Sequence, residues 1–293
     1  MNTPFFSIVT VCLNAASTVE KTIGSVLNQS YPNWEYIIVD GGSTDGTLEI
    51  IEEYKPRLAR VISEPDKGIY DAFNKGVTLS TGDIVGILNA DDQYAPWALS
   101  TVVESASIHP ECGVFYGKLA FIDEALRKWT VYPLGDPSRL LNYASIPHPS
   151  VFVRRNVYKK YGLFDNNYSI VGDWDFLLRL YLEGERFCPI DRVLTAFANS
   201  GLSSTPSRRL LRENQKVYFR YLDFMSAVKK ALRLELKFWG RKALDVSGTY
   251  GIYSRYRDRH ILQVELLGTY VGSLEDIWSA LEKHDWKHDC KYG

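Results

Sequence analysis

Apolar positions in the first hundred residues follow two alternating rhythms. Short, solidly apolar or β-branched runs at Ser7–Val11, Tyr36–Val39, Arg60–Ser63 and Ile84–Leu88 have the length and content of buried strands. Between them the spacing changes. Val19, Ile23, Val26 and Leu27 recur on one helical face within Val19–Asn28, and Thr47–Tyr54 and Ile69–Val77 continue the pattern. This β–α alternation predicts an α/β fold with a mixed, mostly parallel central sheet, flanked by helices and joined by right-handed crossovers. Beyond Pro96 the pattern predicts a helix to about His109, antiparallel strands Val114–Ile122 and Lys128–Tyr132 around Asp123-Glu124, and a loop over Pro133–Pro149. A strand at Ser150–Val153, a long helix after Gly172-Asp173 and a last strand at Arg192–Phe197 follow. From Pro206 onward the reading is helical and amphipathic, broken around Asp245–Tyr250. The chain therefore divides into an α/β domain over residues 1–204 and a helical C-terminal extension over 205–293.

Composition changes this picture little. Apolar residues at 45% and charged residues at 24% are ordinary for a globular protein. The four cysteines, Cys12, Cys112, Cys188 and Cys290, form no CxxC pair, so the expectation is reduced thiols, with no disulfide framework or zinc site. No run of 18 apolar residues occurs and no signal-like segment precedes Phe5–Val11, which leads to the expectation of a cytoplasmic protein. Charge is more informative. Residues 208–260 hold 14 Lys or Arg against 5 Asp or Glu in a chain whose net charge is −1. There Val228, Leu232, Trp239 and Ala243 interleave with Lys229, Lys230, Arg233, Lys237, Arg241 and Lys242. Two readings stand: a peripheral contact with an anionic membrane leaflet, or a helix packed on the catalytic domain with a basic outer face.

In open α/β sheets, ligands gather beyond the carboxyl ends of the strands. Two predicted strands end there in acidic turns. At Asn89-Ala90-Asp91-Asp92 adjacent carboxylates are costly unless something positive sits among them, and hard oxygens suit Mn²⁺ or Mg²⁺. The plainer alternative is that Asp91 or Asp92 caps a helix over Ala95–Ser107. At Asp40 a carboxylate can read the imide N–H of a pyrimidine, while Gly41, Gly42 and Gly46 let a ligand approach the backbone. The alternative there is an ordinary strand–turn–helix with Asp45 as cap. No glycine follows the first strand in Cys12-Leu13-Asn14-Ala15-Ala16-Ser17, which argues against an NAD enzyme, and no Walker A sequence occurs, which argues against a P-loop NTPase.

Taken together, Thr10–Asn14, Ser25–Tyr31, Val39–Thr47 and Leu88–Asp92 resemble the family 2 glycosyltransferases with the A-type fold, whose nucleotide-binding half is Rossmann-like. The runs Glu64–Gly76, His148–Phe152 and Gly172–Arg179 resemble a bacterial branch that builds surface polysaccharides and glycolipids. The resemblance spans residues 5 to about 204. It implies that Asp40 contacts the donor base and that Thr10 and Asn14 line the nucleotide pocket. Asp66 and Asn74 are implied to approach the nucleoside and donor sugar, Asn89 the ribose, and Asp92 the diphosphate or donor sugar. Asp91 would carry the Mn²⁺ or Mg²⁺, with His148 as a further candidate ligand, and Asp173 matches the catalytic base. Two positions depart from the common pattern: Gly41 stands where a second Asp is usual, and Gly172 where Glu is usual before the base, which leaves Asp173 and Asp175 as alternatives.

These assignments imply an inverting transfer from a nucleotide-sugar donor, a UDP-sugar by preference, to a saccharide or lipid-linked acceptor, at the inner face of the cytoplasmic membrane. No nucleic-acid partner is expected, since nothing resembles a reader module. A nucleotidyltransferase would need a Gly-rich basic loop after the first strand, which is missing. A non-catalytic nucleotide-sugar-binding or scaffold protein is the rival from another class.

Overall fold

The computed structural model describes residues 3–123, 128–198, 207–246, 266–269 and 274–283. Strands β1 (Phe6–Cys12), β2 (Trp34–Asp40), β3 (Arg60–Ser63) and β4 (Ile84–Asn89) run parallel in the order β4-β1-β2-β3, as the alternation predicts. Helices α1 (Val19–Leu27), α2 (Thr47–Tyr54) and α3 (Ile69–Leu79) make the crossovers. The register pairs Cys12 with Asp40, Asp40 with Ser63 and Val11 with Asn89, so all four strands end on one rim.

The sheet changes direction at β4. After the two-residue β5 (Gln93–Tyr94) and α4 (Ala98–Ile108) come β6 (Val114–Asp123), β7 (Lys128–Tyr132) and β8 (Val151–Arg154). β8 pairs antiparallel with β4 and with β6, and β7 extends the sheet beyond β6. Helices α5 (Arg155–Tyr161) and α6 (Gly172–Leu182) precede β9 (Phe187–Ala198), which lies parallel to β6 and antiparallel to β5. Then follow α7 (Arg208–Tyr221), α8 (Phe224–Val246), β10 (Leu266–Thr269) and α9 (Leu274–Glu282).

Strand alternation sorts side chains into two cores. Val9, Val11, Ile37, Val39, Val85 and Ile87 face α3, α5 and α6, while Phe6, Ile8, Tyr36, Ile38, Ile84 and Leu88 face α1, α2 and α4. Each such aliphatic side chain, once fully buried, contributes about 1.5–3 kcal/mol. Close approach fixes the seat of α3 on the sheet, since a side chain at Gly76 would come within 2.2 Å of Val9 Cγ1. Val217 and Tyr218 of α7 and Ala227 of α8 belong to the same core as the α6 residues Trp174, Phe176 and Leu177.

Four expectations change. Cys112 and Cys188 are joined by a disulfide rather than standing as reduced thiols; their Cα atoms are 6.0 Å apart although 76 residues separate them in sequence. Residues 266–269 form a strand on β7 inside a region read as helical, because β7 offers an open edge to pair with. The last strand of the α/β region begins five residues before Arg192, at Phe187. Helix α5, which the sequence pattern did not predict, follows β8 directly. Of the expected break around Asp245–Tyr250, residues 247–250 lie outside the described residues, as do Glu124 of the predicted hairpin turn and Cys290.

Candidate functional site

The turn after β2 is built around Asp40. Its carboxylate accepts the N–H groups of Gly42 and Ser43 at 3.0 Å each, the Ser63 hydroxyl at 2.7 Å and the Ser43 hydroxyl. Burial alone would push this carboxyl up, but the bonds from Ser43, Ser63 and the turn amides outweigh it and hold it below the usual carboxylate range. The side chain is fully buried, so Asp40 organises the turn and offers no face to a base. Thr10 also lies beneath the rim: it is fully buried and its hydroxyl pairs with Tyr36 at 2.9 Å in the α1-facing core. Both side chains are fully buried. Asn14 does sit on the exposed surface. Held at φ +52°, it takes the Thr44 N–H on its Oδ1 at 3.0 Å and thereby couples the β1 and β2 turns.

A different carboxylate leans over this turn. A Cβ on Gly41 would come within 2.8 Å of Asp66 Oδ2, so Asp66 occupies the space that a side chain at 41 would need. Lys75 anchors Asp66 through Oδ1 at 2.6 Å and also meets Glu64 at 2.9 Å and Asp71 at 3.4 Å. Desolvation opposes the charge on Lys75, but the three carboxylates outweigh it and keep the ammonium protonated. Asn74 turns the other way. Its amide donates to the Phe164 carbonyl at 2.9 Å and to Asn166 at 2.8 Å, and accepts the Phe164 N–H at 2.9 Å. Both its amide N–H groups and one acceptance by its Oδ1 join α3 to the loop before α6.

The β4 rim turn carries Asn89, Asp91 and Asp92. Asp92 is fully buried and its Oδ2 accepts the Asn89 amide at 3.2 Å, while Thr22 of α1 donates to its carbonyl at 2.8 Å. Asp91 is partly exposed beside them. The capping alternative fails, because α4 begins only at Ala98 after Trp97. Asn89 Oδ1 is buried without a hydrogen-bond partner. Among the described residues no cluster of three or more His, Cys, Asp or Glu could cage an ion alone. The set does fit an octahedral cation that takes one or two carboxylates and completes its shell with phosphate oxygens and water.

Asp173 reaches the same rim from far along the chain. It starts α6, and its Oδ1 accepts the Tyr70 hydroxyl at 3.0 Å and the Trp174 N–H at 2.8 Å. Tyr70 stands in the first turn of α3, just beyond the β3 rim, and 103 positions separate it from Asp173. Burial and the neighbouring Asp173 raise the Tyr70 phenol well above its usual value, which keeps it a donor. Asp175, the alternative base, is fully buried and faces away, accepting from Arg220 at 3.2 Å and Tyr221 at 3.1 Å. His148 is buried, stacked on Phe73 at 5.2 Å and edge-on to Phe164 at 5.7 Å. Burial lowers its pKa against the pull of Asp173, so the ring is neutral.

The strand ends thus carry Asn14, Asp66, Asn89, Asp91 and the buried Asp92 on one rim, with Asp173 tied to α3 through Tyr70; Thr10 and Asp40 lie buried beneath the rim, and Asn74 bonds to the loop before α6. Sequence reasoning assigned no role to Tyr70 or Lys75. The Asp71–Lys75 pair at i,i+4 is a readable signal for the second. Nothing local marks the first.

Residues 7–163 match the family model described as glycosyl transferase family 2. A PGL/p-HBAD biosynthesis glycosyltransferase of Mycobacterium bovis is 32% identical over 211 residues, covering 70% of this chain and 81% of that protein. A putative teichuronic acid biosynthesis glycosyltransferase of Bacillus subtilis, TuaG, is 40% identical over 94 residues, 31% of this chain and 37% of that one. Among solved structures, S. aureus TarS 1-349 in complex with UDP-GlcNAc aligns with a TM-score of 0.61 at 18% identity, over 80% of this chain and 73% of that one. The mannosyltransferase PcManGT of Pyrobaculum calidifontis, in complex with GDP-Man and Mn2+, aligns with a TM-score of 0.56 at 18% identity, over 96% and 79%. At that identity the structural likenesses establish the fold alone.

Proposed function

The chain belongs to glycosyl transferase family 2, and from that premise we propose that it transfers a sugar from a UDP-sugar to a saccharide or lipid-linked acceptor, with inversion, in the assembly of cell-surface polysaccharide or glycolipid. One observation carries the reading furthest: the Tyr70–Asp173 hydrogen bond joins a carboxylate of the second half of the chain to the nucleotide-side rim. We assign the chemistry to residues 1–204, against which helices α7 and α8 pack.

Asp173 takes the proton of the acceptor hydroxyl as that oxygen attacks the anomeric carbon. The bond from that carbon to the nucleoside diphosphate breaks, and a single displacement inverts the centre. General-base assistance of this kind contributes about 10²–10⁴-fold. Tyr70 donates to Oδ1, which leaves Oδ2 to receive the proton. On the donor side Asp66, fixed by Lys75 and backed by Gly41, faces the base imide in the role first expected of Asp40. Asp91, with Asn89 and Asp92 behind it, would hold a Mn²⁺ or Mg²⁺. When bound, such an ion neutralises charge on the departing diphosphate. His148 is left out of this ligand set because its ring is closed between Phe73 and Phe164.

A peripheral contact with the inner face of the cytoplasmic membrane suits a lipid-linked acceptor. Met225, Leu232, Leu236 and Trp239 form an exposed stripe on α8, opposite its buried Ala227, Ala231 and Phe238, with Lys229, Arg233 and Lys237 alongside. Such a face suits an anionic lipid surface. No helix among the described residues is long and apolar enough to cross a membrane.

Calorimetric titration of UDP with Mn²⁺ or with EDTA tests the donor half, on the wild type and on Asp91→Ala. Binding should require both the metal and Asp91. Turnover of UDP-sugars by Asp173→Asn tests the other half and should fall at least a hundredfold while UDP affinity stays unchanged. UDP binding without turnover in the wild type, across a panel of acceptors, would favour the scaffold reading.

A further inference from the structure

Helix α7 lies in the extension, outside the chemistry assigned above, yet one of its faces is built around the start of α6. Glu213 is only 4% exposed, and its carboxylate accepts three consecutive backbone N–H groups: Ser169 at 3.1 Å, Ile170 at 2.8 Å and Val171 at 3.2 Å. These residues lead directly into Gly172-Asp173. Charge-assisted bonds to main-chain N–H groups are among the stronger hydrogen bonds, and three from one carboxylate fix the path of the segment. Ile170 is held from both sides, since the Tyr70 hydroxyl shares its single proton between the Ile170 carbonyl at 2.8 Å and Asp173 Oδ1 at 3.0 Å.

The face continues along α7 at helical spacing. Glu213, Val217 and Arg220 fall at i, i+4 and i+7. Val217 is fully buried in the core that contains α6. Arg220 pairs with the fully buried Asp175 at 3.2 Å, on the far side of the first α6 turn from Asp173, and with Asp165 at 2.8 Å. Arg209 closes the outer edge, meeting Glu213 at 3.4 Å and the Ser169 hydroxyl. Asp173 thus stands on a segment gripped by α3 on one side and α7 on the other.

We infer that Glu213 is a positioning residue for the transfer reaction: it sets the backbone before α6 so that the Asp173 carboxylate meets the acceptor hydroxyl. This rests on the reading of Asp173 as the base. Glu213 touches no reacting atom, so its effect must pass through Asp173. A displacement of about 1 Å at a reacting group can cost about a hundredfold in rate.

The test is a double-mutant cycle on kcat and KM in the full chain, using Glu213→Gln, Glu213→Ala, Asp173→Asn and the combined variants. Glu213→Gln keeps the shape but loses the charge, and should lower kcat at least tenfold with donor KM and UDP affinity unchanged. Glu213→Ala should lower it further, and neither substitution should reduce the residual rate of Asp173→Asn. A Glu213→Gln enzyme within twofold of wild-type kcat overturns the inference. So does an equal loss in the wild-type and Asp173→Asn backgrounds, or a parallel loss of UDP binding, because each marks a role in general folding. If Asp173→Asn itself retains wild-type kcat, the base assignment fails instead, visibly and separately.

Discussion

The β2 turn and the start of α6 hold one carboxylate each, and they hold it by opposite means. Three of the bonds to Asp40 come from Gly42 and Ser43, two and three residues along, and two reach from further away: Ser63, 23 positions on, and the Cys12 thiol, 28 positions back at 3.6 Å. Asp173 depends on Tyr70, 103 positions away, and its segment depends on Glu213, more than 40 positions from the N–H groups it binds. The first arrangement travels with a short stretch of sequence and can form as soon as β2 and β3 pair. The second exists only once α3, α6 and α7 have packed together. Local wiring makes a rigid floor, whereas remote wiring ties chemistry to the state of the whole core.

That contrast can be broken by mutation. The largest effect should come from Arg220→Ala, which leaves the buried Asp175 without its cation. Because Arg220 is half-exposed and Tyr221 still bonds Asp175, the loss is screened to about 2 kcal/mol, readable as a lower denaturation midpoint. Ser43→Ala in the β2 turn removes one of several local bonds and should cost about 1 kcal/mol. Equal losses in the two variants would end the distinction between remote and local wiring.

A smaller effect separates binding from stability. Gly41→Ala forces Asp66 aside by its flexible carboxylate end, so the unfolding temperature should stay within a degree or two. Donor KM should nevertheless rise about tenfold, equivalent to about 1.4 kcal/mol. An unchanged KM would remove Asp66 from the donor site.

The smallest effect is a slope in pH. His148 is buried neutral with its pKa lowered from 6.5, so below that pH the unfolded chain gains a proton that the folded chain refuses. Stability therefore falls as pH drops from 6.5 toward the folded-state value, by at most about 1.4 kcal/mol per unit. Denaturation midpoints of the wild type and His148→Phe, compared between pH 7.5 and 5.5, should diverge in that sense. Parallel curves would mean that His148 titrates alike in both states.

The same division governs what could be read from the chain. The four parallel strands and their crossovers follow from apolar rhythm, and the acidic rim turns follow from strand ends. Asp40 was legible as important but not as buried, although an Asp two and three residues ahead of N–H donors in a Gly-Ser turn is itself a turn-forming signal. Asn74 could not be assigned from its motif, because its partners Phe164 and Asn166 lie about 90 positions away. The Cys112–Cys188 bond was hidden for the same reason, since only the pairing of β6 with β9 brings the two together. Glu213 carried no local mark at all. A buried acid and an exposed one look the same within an amphipathic helix until the neighbouring chain is in place.

The grip of α7 on α6 also bears on how such an enzyme can be recombined. The nucleotide floor, from β1 through β4, is close to a portable cassette, because its turn is wired from within. A cassette carrying α6 would arrive without Glu213 and Arg220 unless α7 came with it. The smallest exchangeable piece of the catalytic side is therefore the stretch from Asp165 to Tyr221, matched to a host that presents a tyrosine where Tyr70 stands.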